Sequence, residues 1–274
     1  MRRILFLAAA IGLGLTQGAR AADMSVNAVS PFFLPPVNST PDWSGPYLGF
    51  NGGYGFGSSS VNGAFVGTIA GFDPFGFSTA GNPTGAVFGG QVGYNWQLAG
   101  VVFGVEGDFD AATLTATGNV VTGSLAPLPP ALVGGAPIGA QASTTMNWLS
   151  TIRARLGYTW GPGLVYVTGG GAWANVDVRT TVCDTALFAC TATNFTGTQS
   201  GWTVGAGAEW MLSPNWFARA EYLYYGLNGR SSSGAITTNP VFAGALAGSS
   251  LNVTTSQMTI NVVRLGLEYK FDWR

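Results

Sequence analysis

The sequence predicts an all-β protein, an eight-stranded antiparallel transmembrane up-and-down β-barrel. Residues 88–98 alternate without a break between an apolar face that includes aromatic side chains and a face of glycine, glutamine and asparagine, which is the period of a β-strand. The same alternation returns about eight times, in segments long enough for a tilted strand to cross a bilayer. Only 8% of the residues are charged, against about 25% in soluble domains. These observations favour a membrane protein built from strands.

The N-terminal end is typical of a secretory signal. A positive start is followed by an apolar run over residues 4–15, too short to span a bilayer, and small residues suit cleavage after Ala21. We therefore assign residues 1–21 to a signal peptide. Four prolines make residues 22–42 a periplasmic linker rather than a strand, and residues 43–274 are predicted to form the barrel.

The alternation and the turn signals together place the eight strands. They are predicted at residues 47–56, 87–98, 101–110, 146–160, 164–179, 201–212, 216–227 and 258–271. The connections at 99–100, 161–163 and 213–215 are tight, whereas those at 57–86, 111–145, 180–200 and 228–257 are long. Short turns on one side and long loops on the other are typical of outer-membrane barrels. An even strand number then places both termini on the periplasmic side.

Aromatic residues lie where membrane interfaces are expected. Six tryptophans lie beside a short turn or a terminus: Trp43, Trp96, Trp160, Trp210, Trp216 and Trp273. The opposite girdle is predicted from Tyr54, Phe56, Phe109 and Trp202.

The charged residues of the strands are predicted to share the inner face, because an Arg or Lys facing lipid near the midplane costs about 2–4 kcal/mol. The predicted inward charges are Glu106, Asp108, Asp110, Arg153, Arg155, Asp177, Arg179, Glu209, Arg219, Glu221, Arg264, Glu268 and Lys270. Their near balance predicts ion pairs across the interior. In the strand at 216–227, Arg219 and Glu221 alone fix the register, and a β-bulge near Val262 is predicted to bring Met258 and Ile260 into phase with the end of the last strand.

Three segments carry a family resemblance. Residues 43–54, WSGPYLGFNGGY, residues 89–96, GGQVGYNW, and the closing residues 263–271, VRLGLEYKF, resemble the small, porin-like, opacity-protein-related outer-membrane barrels of alphaproteobacteria. The resemblance implies a cell outer membrane location and insertion by the barrel assembly machinery. It also implies roles in envelope integrity and surface exposure, and sometimes modest permeability.

No catalytic or metal site is predicted, and no cofactor. Histidine is absent, and the enzymes known on comparable barrels resemble one another in using it as a base. Glu106, Asp108 and Asp110 project the same way and could be interpreted as a metal site, but they are better explained as partners of Arg153 and Arg155. No basic stripe exists for nucleic acid.

Two functions remain open. The first is a non-enzymatic structural protein that supports envelope integrity, displays surface loops and contacts outer-membrane lipid and lipopolysaccharide. The alternative is a narrow diffusion channel, for which inward glycines would leave room for water: Gly49, Gly53, Gly89, Gly93, Gly104, Gly157, Gly205 and Gly207. A soluble lipocalin-like carrier is disfavoured by the low charge content. In a plugged barrel, Arg153→Ala with Arg155→Ala is predicted both to lose stability and to open a cation-preferring leak past the unpaired carboxylates.

The two cysteines are predicted to form a disulfide. Cys183 and Cys190 are the only cysteines, lie in one predicted loop, and pass through an oxidising periplasm.

Overall fold

The computed structural model describes residues 41–66, 76–122, 138–184, 189–235 and 250–272. These residues form eleven antiparallel strands: β1 Gly45–Val66, β2 Gly76–Gly81, β3 Thr84–Leu98, β4 Val101–Thr122, β5 Ile138–Trp160, β6 Gly163–Asp184, β7 Ala189–Ser213, β8 Trp216–Leu227, β9 Arg230–Ala235, β10 Ser250–Thr255 and β11 Met258–Lys270. Within those ranges, no helix has the length and hydropathy needed to cross a membrane.

Eight of the strands close into a ring, which confirms the predicted fold. The order around the ring is β1, β3, β4, β5, β6, β7, β8 and β11. β11 then pairs with β1, from Tyr47 opposite Lys270 to Ser58 opposite Thr259. Closure leaves no unpaired edge in the ring, as a hydrocarbon environment requires.

The strands extend beyond their predicted ends. β4 to β7 have 22 to 25 residues, so much of the sequence at 111–122, 138–145, 180–184 and 189–200 that was predicted as loop is strand. β2, β9 and β10 were not predicted, and the far end of β1 pairs with β2 and β10. Serine, threonine and asparagine dominate the outer face there and apolar residues the inner face, so the contrast between the faces is the reverse of the one that marked the other strands.

Two outward aromatic girdles flank the apolar band. Near the short turns, Trp96 stacks on Phe103 with ring centroids 5.6 Å apart; at the other, upper end, Trp202 packs on Tyr224 at 5.4 Å. Trp202 and Trp210 lie eight residues apart on β7, which corresponds to roughly 20 Å along the barrel axis for strands tilted by about 40°. That distance suits the apolar band of an outer-membrane barrel.

Trp43 is not part of the lower girdle, which corrects the prediction. It is only 2% exposed and its ring lies 4.7 Å from that of Phe217 inside the barrel. Trp273 lies outside the described residues.

The inner register of β8 is as predicted, and so is that of β11 from Arg264 to Lys270, whereas the upper part of β11 differs from the prediction. Phe217, Arg219 and Glu221 are buried in alternation along β8. β11 pairs with β8 without a register shift, and Ile260, Val262 and Arg264 all point inward. The predicted bulge near Val262 is therefore wrong, because the barrel interior is itself apolar above Arg264. Irregularities fall instead in β4 and β5, where the register shifts at Ala111/Leu114 and at Met146/Trp148, and in β7 near Ser213.

Candidate functional site

The barrel interior contains a buried layer of charged side chains from five of its strands. We call it the charge layer, and it comprises Glu106, Asp108 and Asp110 of β4, Arg153 and Arg155 of β5, Glu209 of β7, Arg219 and Glu221 of β8, and Arg264 and Glu268 of β11. Each of these ten residues is at most 5% exposed. The strand period brings them together, because each is spaced by two residues from the next inward position on its strand.

Arg153 and Arg264 hold one half of the charge layer. Arg153 donates to Asp108 at 2.8 Å and to Glu221 at 2.9 Å, and also binds Glu106. Arg264 donates to Asp110 at 2.8 Å and to Asp108 at 2.9 Å, and its Nε binds Glu221 at 2.8 Å. The two guanidinium groups share Asp108 and Glu221, so each carboxylate is fixed from two strands.

Arg155 and Arg219 hold the other half, together with two tyrosines. Arg155 binds Glu209 at 2.5 Å, and Arg219 binds Glu209 at 2.8 Å. The Arg155 guanidinium carbon lies 4.2 Å from the centroid of the Tyr166 ring and 5.6 Å from that of Tyr47, close enough for cation–π attraction. The tyrosine hydroxyls also bind the layer: Tyr47 donates to Glu106 at 2.6 Å and Tyr166 donates to Glu221 at 2.9 Å.

Neither tyrosine is predicted from the sequence to join the charge layer. The signal was present, since Tyr47 is in phase with the inward Gly49 and Asn51 of its strand, but aromatic residues were assigned to the lipid face.

Inward glycines accommodate these large side chains rather than water. A Cβ added at Gly93 would lie 2.4 Å from the Tyr47 ring, and one at Gly207 would lie 2.4 Å from the Tyr166 hydroxyl. The same is true at the other inward positions named above, where a Cβ would meet side-chain or backbone atoms. At each of these glycines an added Cβ would lie within 3 Å of another atom, so the space directly beside each glycine is already occupied, contrary to the expectation that it would hold water.

Apolar residues cover the charge layer at both ends. The upper apolar layer, on the side away from the short turns, includes Leu114, Met146, Leu149, Leu223, Tyr225, Leu227, Met258 and Ile260, each at most 1% exposed. The lower apolar layer, beside the short turns, comprises Trp43, Val102, Leu164, Tyr166, Met211 and Phe217. Neighbouring layers exclude water from the ion pairs, which strengthens them and raises the cost of leaving any member unpaired.

Three predicted interior charges do not join the charge layer. Lys270 is buried but lies near the short turns, where its ammonium group donates to the Asp42 carbonyl oxygen. Asp177 and Arg179 lie on the outer face of β6, because Val176 and Val178 occupy the inner face; this corrects the prediction. They lie above the upper girdle, where the outer face meets water and an outward charge carries no lipid penalty.

The sequence also raised two other features, a metal site and a disulfide between Cys183 and Cys190. Among the described residues, no group of three or more histidine, cysteine, aspartate or glutamate side chains is placed to hold a metal ion. The β6–β7 ladder pairs the backbone of Cys183 directly with that of Cys190. Their side chains lie outside the described ones, so the disulfide stays a prediction.

Comparisons with known proteins agree on one family. The model of the outer membrane protein beta-barrel domain matches residues 21–271. The 31 kDa outer-membrane immunogenic protein of Brucella melitensis is 35% identical over 273 residues, which cover 96% of this chain and 98% of that protein. A 22 kDa outer membrane protein of Rhizobium leguminosarum is 32% identical over 69% of this chain and 66% of its own length.

A solved structure is also similar in outline. The outer membrane protease OmpT of Escherichia coli matches with a TM-score of 0.39 and 10% identity, over 81% of this chain and 97% of that one. At that similarity, the activity of the protease says nothing about this chain.

Proposed function

Because the chain belongs to the outer membrane protein beta-barrel family, we propose that it is a closed, non-enzymatic structural barrel that supports the envelope and displays a polar extension at the cell surface. Its termini face the periplasm in this proposal, and the barrel assembly machinery inserts it. The observation that carries the proposal is the filled interior.

Three stacked layers support a closed barrel. An eight-stranded barrel has an interior about wide enough for its own side chains, and here the charge layer lies between two apolar layers. An ion entering from above would first have to pass the upper apolar layer, where, among the residues named for that layer, only the Tyr225 hydroxyl could replace part of its hydration. It would then meet guanidinium and carboxylate groups that already bind one another.

The extension above the upper girdle supports a role at the surface. The part of β7 before Trp202 begins at Ala189, and at about 3.3 Å per residue along a strand tilted by about 40° it reaches roughly 30 Å beyond the girdle. The exposed outer positions of the whole extension, on β4, β5 and β7, are mostly uncharged and polar. They include Thr113, Thr115, Thr117, Asn119, Gln141, Asn194, Thr196 and Thr198. Hydroxyl and amide groups at this height are suited to hydrogen bonds with the sugars of lipopolysaccharide.

Conductance in a planar bilayer separates this proposal from the channel. We expect the refolded wild-type barrel to show no steady current. The sequence alone predicts a leak in the double variant Arg153→Ala, Arg155→Ala; the upper apolar layer leads us instead to expect a destabilised barrel that still conducts little. Folding of each sample is checked by its heat-dependent electrophoretic mobility. A large, steady wild-type current that the double variant leaves unchanged would reject the structural proposal in favour of the channel.

A further inference from the structure

The wall of the extension above the upper girdle is interrupted between β7 and β9. β8 pairs with β7 only as far as Leu227, which lies opposite Gly201. Above that point, residues 189–200 of β7 pair with β6 alone among the described strands, and β9 pairs with β10 alone among them. A gap therefore separates two strand edges at the upper end of the barrel.

A cleft lies in this gap, and we call it the edge cleft. It measures about 270 Å³, including its open mouth, so it suits one small unit of a ligand, such as a sugar ring, rather than a folded partner. Its lining includes the apolar side chains Val178, Phe195 and Val253 and the polar side chains Thr180, Thr193 and Arg230. A solute reaches it from water, because these strands lie above the lipid band.

Arg230 is held in the edge cleft by contacts with both strand edges. Its backbone N–H donates to the Thr255 hydroxyl at 3.0 Å, and that hydroxyl donates to the Arg230 carbonyl oxygen at 2.9 Å. Across the gap, its Nη1 donates to the Thr198 carbonyl oxygen at 3.2 Å, and its guanidinium carbon lies 5.0 Å from the centroid of the Phe195 ring. The guanidinium group is thus already positioned, so a ligand does not have to order it.

The charge of Arg230 has no carboxylate partner in the part of the chain that the structure describes. Every ion pair there belongs to the charge layer. Nη1 is the only guanidinium nitrogen of Arg230 with a described acceptor, which leaves Nε and Nη2 for a ligand. That edge of a guanidinium group matches a carboxylate, which accepts two parallel hydrogen bonds. A single positive charge also balances one carboxylate better than a doubly charged phosphate.

A buried hydroxyl group in the edge cleft also lacks a partner. Thr180 is 1% exposed, and its Oγ1 makes no hydrogen bond with the described residues. Leaving a buried polar group without a partner is costly. A ligand that carries hydroxyl groups would remove that cost.

The edge of β7 supplies backbone donors on the same side. The carbonyl oxygens of Ser200 and Thr198 accept hydrogen bonds from across the gap. Because alternate residues of a strand direct their backbone groups to the same edge, Thr196 and Asn194 also present an N–H and a carbonyl group there. An unpaired edge of this kind can bind the hydroxyl groups of a ligand.

We propose that the edge cleft binds a sugar that carries a carboxylate. Arg230 binds the carboxylate, while the Thr180 and Thr193 hydroxyls and the β7 edge bind ring hydroxyls. Val178 and Val253 contact the C–H groups of the ring, as apolar walls do in small-molecule sites. This inference rests on the surface role proposed above, but sugar binding and conductance are separate measurements, so the failure of one is distinguishable from the failure of the other.

The test uses the refolded full-length barrel in detergent micelles free of lipopolysaccharide. Saturation-transfer NMR follows the binding of D-glucuronate, with D-glucose as the neutral match. We expect a Kd for glucuronate on the order of millimolar, because one guanidinium group and a few hydrogen bonds give modest affinity. Glucose should bind about tenfold more weakly, and added sodium chloride should weaken glucuronate binding.

Two variants assign the binding to the edge cleft. Arg230→Gln keeps a hydrogen-bonding side chain but removes the charge, and should weaken glucuronate binding about tenfold. Thr180→Val removes only the buried hydroxyl and should weaken binding several-fold without lowering the urea midpoint of the free barrel, since that hydroxyl has no described partner. Arg179→Gln is the matched control, because Arg179 lies exposed on the outer wall of β6, and it should bind as the wild type does. Heat-dependent mobility checks that each variant is folded.

A carboxylated sugar could come from lipopolysaccharide or from a glycan in the medium, and vesicles separate the two sources. If lipopolysaccharide is the source, its addition to phospholipid vesicles that contain the barrel should displace glucuronate; retained binding would assign the site to glycans of the medium. Glucuronate that binds the wild type no more tightly than glucose would overturn the proposal, as would full binding by Arg230→Gln. An equal loss in Arg179→Gln would also overturn it, because binding would then follow net charge rather than the cleft.

Discussion

Arg153→Met removes a guanidinium group that binds three carboxylates in the half of the charge layer that Arg153 and Arg264 hold. Arg153 is 1% exposed and binds Glu106, Asp108 and Glu221. Methionine preserves much of the aliphatic length, so the main loss is the positive charge. Removing one partner of a buried ion pair costs about 3–5 kcal/mol, because the carboxylates that remain are buried without compensation.

Several contacts place the expected loss within that range rather than far above it. Arg264 still binds Asp108 and Glu221 after the substitution, and Arg219 still binds Glu106 at 2.7 Å. Every carboxylate therefore keeps one cationic partner. We expect the free energy of unfolding to fall by about 3–5 kcal/mol, which at an m-value near 3 kcal/mol/M lowers the urea midpoint by about 1–2 M.

The measurement is reversible urea unfolding in detergent micelles or lipid vesicles, followed by tryptophan fluorescence. Arg179→Met is the matched control, because Arg179 lies exposed on the outer wall of β6, and we expect a change within about 0.5 kcal/mol. An Arg153→Met barrel that unfolds within about 1 kcal/mol of the wild type would refute the reasoning that the charge layer carries buried, mutually dependent ion pairs.

Three further predictions concern packing, cross-linking and closure. Gly93→Ala forces the Tyr47 ring to move and should destabilise the barrel by about 1–3 kcal/mol in urea unfolding, whereas Gly52→Ala, with no atom within 4 Å of the added Cβ, should change stability by less. Thiol labelling of the unreduced, denatured protein should find Cys183 and Cys190 blocked, and two labelled cysteines would contradict the disulfide. Unboiled samples should migrate differently from boiled ones and resist trypsin, because a closed ladder has no edge from which to unfold; identical migration with full digestion would count against the closed ring.

The sequence predicts the eight ring strands because the lipid-facing band imposes a strong pattern. Where Val105 and Phe109 face outward, Glu106 and Asp108 must face inward, so one register satisfies both faces. The strand at 216–227 shows how few residues are enough: Arg219 and Glu221 fixed a face that also holds Phe217 and Leu223. Partner choice was harder to predict. Arg153 and Glu106 are paired in the β4–β5 register, but the contact of Arg153 with Glu221 depends on barrel closure.

Predictions failed where the outer face leaves the lipid. On β6, Trp173 is the last outward aromatic residue, and Asp177 follows it on the same face while Val176 turns inward. On β11 the outward residues pass from Leu265 and Val263 to Asn261 as the chain is followed upward. If each face is assumed to keep one polarity along the whole strand, the residues of the upper part are assigned to the wrong faces. This is why Asp177 was predicted to point inward.

The polarity of the inner and outer faces is exchanged at the upper girdle because the outer wall passes there from lipid into water. Below the upper girdle, lipid solvates the outer wall and the charge layer fills the interior. Above it, water solvates the outer wall, and the interior can be filled by valine, leucine and methionine as in a soluble protein. On β11 the inner face changes from Arg264 to Val262 at the height where its outer face changes from valine to asparagine. Both faces of this strand therefore mark the membrane boundary. The inner face becomes apolar at the same height at which the outer face becomes polar, and the upper apolar layer begins there.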